Sequence, residues 1–339
     1  MNFKYLLPIV ALILGLAGAG CNKAGKLREQ STYKTPTGPV LLKVKWPQGE
    51  RVVQDTDMKI NNEITVPGQP NPMQQNMTMG QKYALTVLKE NPDSTHEVQL
   101  EFLNTTMGMD MAGKSMLKYD SSKNSAADGT DPLIATFGKI IGSKITYFLD
   151  ASNNVDHIEG VQDLLNRLSA GGNAQAMAPV KTMFSDGYFK QLMSSSQFLP
   201  PNPVAPGDSW QVSMEFPMPA IGTLVLNYTV TLQGWEMHGA RNCARLEFDG
   251  TIQTKPDAGG SPDPSLMGVT MAIKDGTTSG TSWFDPEFGI IIDTRLNQDM
   301  TINIAVPANP KIKQGPGSQP QNVTSKMSQV LHIQLDSVK

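Results

Sequence analysis

Apolar and polar residues alternate along most of this chain. A period of two residues is typical of a half-buried strand, because successive side chains of a strand point to opposite faces of its sheet. Segments with this period cover residues 41–46, 51–60, 83–89, 97–102, 144–149, 223–232, 243–252, 268–273, 289–296, 300–306 and 330–335. Short turns rich in Asn, Asp, Gly and Pro separate several of these segments, so we expect neighbouring strands to pair antiparallel.

One block in the middle of the chain has the period of a helix instead. Val161, Leu164 and Leu168 recur on one helical face, and Phe184 belongs to a second stripe of the same kind. Residues 194–208 are rich in proline, which cannot continue a helix. We therefore predict a short helical segment between two β-rich parts.

The two β-rich parts resemble each other. Residues 83–102 and 228–248 both begin with Tyr, alternate, pass a turn and end in Leu-Glu-Phe, while residues 145–158 and 281–294 both have the order strand, acidic turn, strand. A duplication explains these similarities, and so does chance similarity among alternating strands, so both explanations stay open. The predicted fold class is mainly β (α+β): two related antiparallel meanders form a curved sheet or half-barrel, and the helical segment links them.

The chain begins with an apolar run that stops at a cysteine. Lys4 precedes this run, and the stretch Leu6–Leu16 is too short to cross a bilayer unaided. The Ala-Gly-Cys motif that ends at Cys21 resembles the lipobox of bacterial lipoproteins, in which the cysteine is diacylated and becomes the new N-terminus, although Gly18 stands where that motif usually has Leu. We predict a signal peptide followed by lipidation of Cys21, with cleavage without lipidation as the alternative.

The second cysteine and the residue after Cys21 add to this interpretation. If Cys21 carries acyl chains such as palmitate, Cys243 has no partner for an intramolecular disulfide. Strand alternation places Cys243 on a polar face together with Arg245. Asn22 after the cysteine favours the outer membrane over the inner membrane, so we predict a lipid-anchored protein of the bacterial cell envelope.

These patterns divide the chain into five parts. Residues 1–20 form the lipoprotein signal peptide, and residues 21–39, which lack apolar periodicity, form a flexible tether. Residues 40–158 form the first β-rich half, residues 159–197 the helical connection, and residues 198–339 the second β-rich half.

Three segments carry a family resemblance. GSKITYFLDASNNVDHIEGVQDLLNRL (142–168), FLPPNPVAPGDSW (198–210) and GTTSGTSWFDPEFGIII (276–292) resemble an uncharacterised family of bacterial β-rich envelope lipoproteins, and the resembling features cover most of residues 40–339. The resemblance implies a β-rich fold and an envelope location. Because that family has no assigned chemistry, the resemblance implies no catalytic residue.

Composition and motifs exclude several functions. A net charge of −3 with 17% charged residues gives no basic footprint for a nucleic acid partner. The sequence contains no G-x-S-x-G elbow, phosphate-binding loop or H-E-x-x-H motif, and the four histidines are far apart. We predict a non-enzymatic protein without a cofactor, and an unrecognised hydrolase stays an alternative because catalytic triads assemble from distant residues.

Methionine is unusually frequent, with 19 in the chain. Met77 and Met79 form one cluster, and Met107, Met109 and Met111 form a second. Thioethers are soft ligands, so these residues suggest a copper-handling protein that holds Cu(I), as an alternative function.

The predicted hairpin tests the copper alternative. If a turn at residues 91–94 joins the strands, Val87 pairs with Val98, and the first methionine cluster shares a face with Phe102. The second cluster then falls on the opposite face unless a bulge occurs near residues 104–106. The simpler interpretation is that the methionines are pliable apolar residues of a core or a groove.

The function that we prefer is binding of an apolar small molecule, or of a partner protein of the envelope, at the membrane surface. The alternating segments that resemble each other would supply the lining of a cavity, which we predict to consist of Tyr83, Leu85, Leu100, Phe102, Tyr228, Val230, Leu246 and Phe248. A dry packed core is the alternative for the same residues.

Overall fold

The computed structural model describes residues 27, 29–123, 138–169, 184, 186–193, 197–218, 222–255, 269–308 and 319–339. The predicted signal peptide and Cys21 lie outside these residues, as do the first residues of the predicted tether and residues 170–183 of the helical connection.

The described residues form twelve strands, all in one antiparallel sheet, and two short helices. The strands of the first half are β1 (Arg51–Thr65), β2 (Met73–Glu90), β3 (His96–Met111), β4 (Lys114–Asp120), β5 (Lys144–Leu149) and β6 (Val155–Glu159). The helices α1 (Val161–Ser169) and α2 (Asp186–Leu192) follow. The second half contains β7 (Ser209–Met218), β8 (Gly222–His238), β9 (Arg241–Lys255), β10 (Thr270–Asp285), β11 (Ile290–Val306) and β12 (Gln321–Val338).

The strand order is that of two meanders joined side by side. It runs β6-β5-β3-β2-β1-β12-β11-β10-β9-β8-β7, and β4 pairs with the far end of β3. The first meander proceeds outwards from β1, and the second returns inwards to β12, which pairs with β1 along almost its whole length. The sheet is not closed, since β6 and β7 are its two ends. The predicted fold class, mainly β with two antiparallel meanders, is confirmed.

The sheet is strongly curved. Asn153 in the β5–β6 turn donates from Nδ2 to the carbonyl oxygen of Val44 at 3.4 Å. The next backbone amide, that of Lys45, donates to the carbonyl oxygen of Gly289 in the β10–β11 turn at 3.1 Å. One peptide group thus contacts two turns whose nearest strands, β5 and β11, are five strand spacings, about 24 Å, apart along the sheet. The sheet has to roll for these turns to meet.

Residues 41–46, predicted as a strand, do not join the sheet. Leu42, Val44 and Trp46 are buried while the residues between them are exposed. This segment crosses one end of the rolled sheet, because its hydrogen bonds run to the turns described above and, through Val40, to Val204. The prediction of a sheet strand is therefore wrong, although the predicted alternation is present.

Helix α2 lies between the two ends of the sheet. It packs against both β6 and β7. The buried ring of Phe189 reaches the ring of Phe102 on β3, with a centroid distance of 6.3 Å. Helix α1 buries Val161, Leu164 and Leu168, the residues that the helical spacing predicted. Neither helix has the length and apolar character that a membrane crossing would require.

The described part of the predicted tether is held against the body. Arg241 donates to Asp285 and Glu287, both at 2.6 Å, and to the carbonyl oxygen of Glu29 at 3.1 Å. Glu287 also accepts a hydrogen bond from the hydroxyl of Thr32 at 2.6 Å. These bonds make residues 29–35 part of the folded body.

Candidate ligand-binding interior

The rolled sheet has an interior face, which we define as the inward-pointing side chains of β1–β3 and β7–β12. All eight predicted lining residues lie on this face and are buried: Tyr83, Leu85, Leu100, Phe102, Tyr228, Val230, Leu246 and Phe248. The predicted hairpin register is also present, since Val87 pairs with Val98. The eight residues form two groups, one on β2 and β3 and the other on β8 and β9. Their role as ligand contacts stays a prediction.

Three aromatic rings pack together at the predicted lining residues of β8 and β9. Phe198, which precedes β7, packs edge to face against Tyr228 and Phe248 at centroid distances of 5.9 and 5.0 Å. Gly280 on β10 makes room for this arrangement, because a Cβ atom there would lie 2.5 Å from Cζ of Phe248. Burial raises the pKa of Tyr228 to about 12, against a smaller opposing effect of the neighbouring Thr278 hydroxyl, so its phenol stays neutral.

A β-bulge in β3 sets the position of the methionines. Phe102 pairs with Tyr83 and Asn104 pairs with Lys82, so Leu103 is an extra residue in the ladder. An extra residue of this kind shifts the alternation of every residue that follows it.

The bulge brings the two methionine clusters to the same face. Met107 pairs with Met79 and Met109 with Met77, and their side chains lie on the interior face. Met111 continues the alternation beyond them. The expectation that the second cluster occupies the opposite face is therefore wrong, and the stated exception, a bulge in this part of the strand, is what the structure contains.

Several uncharged polar side chains also point into the interior, and we call five of them, which cluster on the central strands, the interior polar band. They are Asn62, Gln75, Gln298, Ser325 and Gln329, and each is at most 4% exposed. Gln298 and Gln329 are direct cross-strand partners, as are Asn62 and Gln75. The band thus crosses the four central strands β2, β1, β12 and β11, with Ser325 one step further along β12.

Most of the band lacks hydrogen-bond partners among the described residues. The unpartnered atoms are Oδ1 of Asn62, Nε2 and Oε1 of Gln298, Oγ of Ser325 and Nε2 of Gln329. Two weak bonds exist: Asn62 donates to Oε1 of Gln75 at 3.4 Å, and Gln75 donates to Sδ of Met109 at 3.4 Å. A buried polar atom without a partner costs about 1–3 kcal/mol, so the band lowers the free energy of unfolding when the interior is empty.

The side chains around the band are uncharged on the six neighbouring strands β3, β2, β1, β12, β11 and β10. One interior row consists of Met109, Met77, Ile60, Gln329, Gln298 and Thr278, and the next of Met111, Gln75, Asn62, Met327, Met300 and Gly276. Methionines therefore surround the amides. The interior offers hydrogen-bonding groups and soft apolar surface side by side.

Sequence analysis missed the band, although a signal was present. The alternating segments 289–296 and 300–306 predict two strands, whereas β11 runs without interruption from Ile290 to Val306. Gln298 occupies a position at which the alternation requires an apolar side chain, and it points inward. A lone amide at such a position marks a buried polar group rather than the end of a strand.

The outer face holds a second cluster that sequence analysis missed. Nε2 of His238 lies 2.9 Å from Oδ2 of Asp293, and Nε2 of His332 lies 3.1 Å from Oδ1 of the same carboxylate. The ring of His238 stacks on Trp283 at a centroid distance of 4.4 Å. The sheet register brings these histidines together despite their separation in sequence.

Cys243 lies near this region and is fully buried. It shares a face with Arg245, as predicted, but it also lies close to the buried pair of Arg241 and Asp285. Burial raises the pKa of the Cys243 thiol far above its usual value, so this thiol is a core group.

The metal-binding capacity of the described residues lies in thioethers and not in His, Cys, Asp and Glu side chains. Among the described residues, no set of three or more His, Cys, Asp and Glu side chains is arranged to hold a metal ion. The interior methionines present thioethers on neighbouring strands, and these are ligands for Cu(I) rather than for harder ions.

Comparison with curated proteins gave no match. Three solved structures align with most of this chain at low sequence identity. Lipovitellin, from a study of lipid–protein interactions, is 11% identical, with 87% of this chain and 26% of that chain covered and a TM-score of 0.45. This chain therefore spans about a quarter of the lipovitellin chain.

The other two structures come from bacteria. A DUF1329 family protein from Desulfovibrio piger is 9% identical, with 81% of this chain and 83% of that chain covered and a TM-score of 0.14. OccK11 (OpdR) from Pseudomonas aeruginosa is 6% identical, with 87% and 100% covered and a TM-score of 0.18. At these TM-scores none of the three likenesses carries an argument about function.

One family model matches the sequence itself, over residues 93–291. These residues run from the β2–β3 turn through the helical connection to the first residues of β11. Since the match covers more than half of the chain, the protein belongs to this family of unknown function, DUF6263.

Proposed function

We propose that this protein is a non-enzymatic, lipid-anchored protein of the bacterial cell envelope that holds an apolar ligand inside its rolled sheet. The observation that carries this proposal is the interior face, on which aromatic and methionine side chains surround buried amides without partners. A core selected only for stability would have apolar residues at those positions, because buried unpartnered amides are costly.

The size of the sheet supports an interior ligand. About eight strands suffice to enclose a space that their own side chains fill. Here eleven strands lie along the sheet, with β4 attached to β3, and α2 spans the gap between the two ends. Methionine side chains repack readily, so the interior can change shape around a guest molecule.

The anchor would hold one end of the body close to the membrane. Eight residue-to-residue steps lead from Cys21 to Glu29, whose carbonyl oxygen accepts a hydrogen bond from Arg241 on the body. An extended chain of this length reaches at most about 28 Å. A lipid on Cys21 would therefore keep the end of the sheet that contains the β8–β9 and β10–β11 turns near the bilayer surface, where apolar molecules are available.

Native mass spectrometry of the protein extracted from its own membrane tests the ligand. We expect a non-covalent apolar molecule in addition to the acylated chain. The variant Leu246→Asn places an amide on the interior face and should lose this molecule, whereas Glu247→Asn, on the adjacent outward position, should retain it. Circular dichroism verifies that both variants are folded. A protein that leaves its membrane without any bound molecule would refute the proposal.

Replacement of Cys21 by Ser tests the anchor. We expect the variant to move from the membrane fraction to the soluble exported fraction and to lose the mass of its acyl chains. Outer and inner membranes are separated on a density gradient, and Asn22 leads us to expect the outer membrane for the unaltered protein. An unaltered protein without acyl chains would contradict lipidation at Cys21.

Copper handling is a second candidate, favoured by the bulge at Leu103. The bulge places Met107 and Met109 opposite Met79 and Met77, which gives four thioethers on two neighbouring strands. Titration with Cu(I) against a chromogenic chelator, under reducing conditions, measures this directly. We expect Met77→Leu with Met109→Leu to abolish binding if the site exists, while Met237→Leu, at an exposed methionine, serves as the control.

A further inference from the structure

We propose that the interior polar band binds the ester, amide or hydroxyl groups of an uncharged amphiphile, while the chains of this molecule lie on the methionine and aromatic side chains. This inference rests on the proposed function, since it specifies which apolar ligand the interior accepts.

The first argument is the number of free hydrogen-bonding atoms. Gln298 offers a donor and an acceptor, Gln329 a donor, Asn62 an acceptor and Ser325 a hydroxyl, all without partners among the described residues. Gln298 and Gln329 are direct cross-strand neighbours, yet their amides do not bond to each other. Their side chains are therefore placed for a third group between or above them.

The second argument is the burial of these atoms. They are fully buried, so bulk solvent does not satisfy them. A partner has to enter the interior with its own polar atoms. The neighbouring Met77, Met300 and Met327 are unbranched and can move aside to admit it.

The third argument concerns charge. Four of the five band residues lie in two interior rows that cross β3, β2, β1, β12, β11 and β10. Neither row contains Lys, Arg, Asp or Glu on these strands. A phosphate or a carboxylate buried there would lack a counter-charge and would pay the full cost of desolvation. The interior therefore selects against charged head groups.

Spacing identifies a suitable ligand class. Gln298 and Gln329 lie on adjacent strands, about 5 Å apart, and Asn62 lies one strand and one step further along. Two neighbouring ester carbonyls can accept from the two glutamine amides, and a hydroxyl can donate to Oε1 of Gln298 or Oδ1 of Asn62. A neutral diacylated glycerol has this combination of two esters, one hydroxyl and no charge.

The gap between β6 and β7 is the place where the sheet can admit such a molecule. Among the strands of the main sheet path, these two end strands have a single neighbour each. Displacement of α2 from this gap breaks side-chain packing, including the contact of Phe189 with Phe102, but leaves the strand ladders intact.

The test compares three probes on the full-length protein, purified from its membrane in detergent and stripped of bound lipid. Dioleoylglycerol has esters, a hydroxyl and no charge, dioleoyl phosphatidic acid adds a charged phosphate to the same chains, and squalane is a pure hydrocarbon. We expect dioleoylglycerol to bind at least about tenfold more tightly than either of the others, as measured by native mass spectrometry and competition.

Variants then assign the preference to the band. Gln298→Met together with Gln329→Met should weaken dioleoylglycerol binding about tenfold or more, leave squalane binding unchanged within about twofold, and raise the melting temperature. Asn297→Met, at an exposed outward position next to Gln298, should change none of these values.

Equal affinity for dioleoylglycerol and squalane, or a double variant with unaltered affinities, would overturn the inference but leave apolar binding standing. Failure of all three probes to bind would count against both proposals. The comparison of probes needs no variant and decides between these outcomes by itself.

Discussion

At the residue scale, Glu287 connects the N-terminal segment to the body. Its carboxylate accepts hydrogen bonds from the hydroxyls of Thr32 and Ser31 and pairs with Arg241. These contacts, led by the bond from Thr32, lower the pKa of Glu287 from 4.5 to about 2. A carboxyl group with a lowered pKa in the folded state stabilises that state above its unfolded pKa, and this contribution is lost as the pH falls through the folded value.

Glu287→Gln should therefore loosen residues 29–35 in a pH-dependent way. At pH 4.5 and above, the variant should be cleaved in this segment about fivefold faster than the unaltered protein, because local opening of the segment becomes more favourable. As the pH falls towards 2, the difference should vanish since the native carboxyl becomes protonated. Pepsin digestion with mass spectrometric mapping measures both rates, and cleavage in β12 serves as the internal control. A constant ratio across this pH range would contradict the role of Glu287.

Gly280 is a residue at which the interior tolerates no side chain. A Cβ atom there would lie 2.5 Å from Cζ of Phe248 and would also approach the carbonyl oxygen of Arg295. We expect Gly280→Ala to lower the free energy of unfolding by about 1–3 kcal/mol, measured by urea denaturation, because overpacking displaces the aromatic group. Gly38→Ala is the matched control, since a Cβ atom at Gly38 meets nothing within 4 Å. Equal stability of the two variants would contradict this account.

At the element scale, the bulge in β3 decides which side chains face the interior. Deletion of Leu103 alone removes the extra residue and keeps Met107 and Met109 inward, so it should cost about 1 kcal/mol or less. Deletion of Leu103 and Asn104 together shifts the alternation and turns both methionines outward. Met107 is buried and Met109 is half-buried. Since a fully buried methionine contributes about 1.5–3 kcal/mol, the second variant should lose about 2 kcal/mol or more.

Urea denaturation and oxidation with hydrogen peroxide measure this effect. Mass spectrometry should show slow formation of methionine sulfoxide at Met107 and Met109 in the single deletion, and fast formation in the double deletion. Similar oxidation rates in both variants would show that the alternation had not shifted.

The bulge also marks the limit of what the sequence predicts. The alternation located most strands and the correct pairing of Val87 with Val98, because strand period and turn length are local properties. Nothing about Leu103 distinguishes it as an extra residue, since its place depends on which neighbours the following residues meet across the ladder. Residues 41–46 show the same limit: their alternation is local, but their exclusion from the sheet follows from its curvature.

The candidate site divides in the same way. The eight predicted lining residues are apolar or aromatic members of alternating segments, so their burial followed from the period alone. The interior polar band does not follow from residue type, because amides are more often found on an exposed face or at a strand end than inside a sheet. At Gln298 the position in the alternation, and not the residue type, determines the direction of the side chain.

At the scale of the whole molecule, the two meanders share one sheet and one core. β1 pairs with β12 along fourteen residue pairs, from Val52 with Val338 to Thr65 with Thr324. A single hydrophobic cluster runs through both halves, and Val40 of the first half bonds to Val204 of the second. Each half alone would expose a long edge strand and half of the interior face. Both features promote aggregation.

The halves should therefore depend on each other for folding. Residues 40–197 and 198–339, produced separately, should aggregate or show no cooperative unfolding, with a stability near zero instead of the roughly 5–15 kcal/mol typical of an intact domain. Their co-expression should restore a soluble one-to-one complex, because the β1–β12 ladder and the shared core form again. Gel filtration and circular dichroism with thermal melting measure both outcomes. A half that is monomeric and melts sharply by itself would show that each meander is an independent domain, and the interior between them would then be an interface and not a common core.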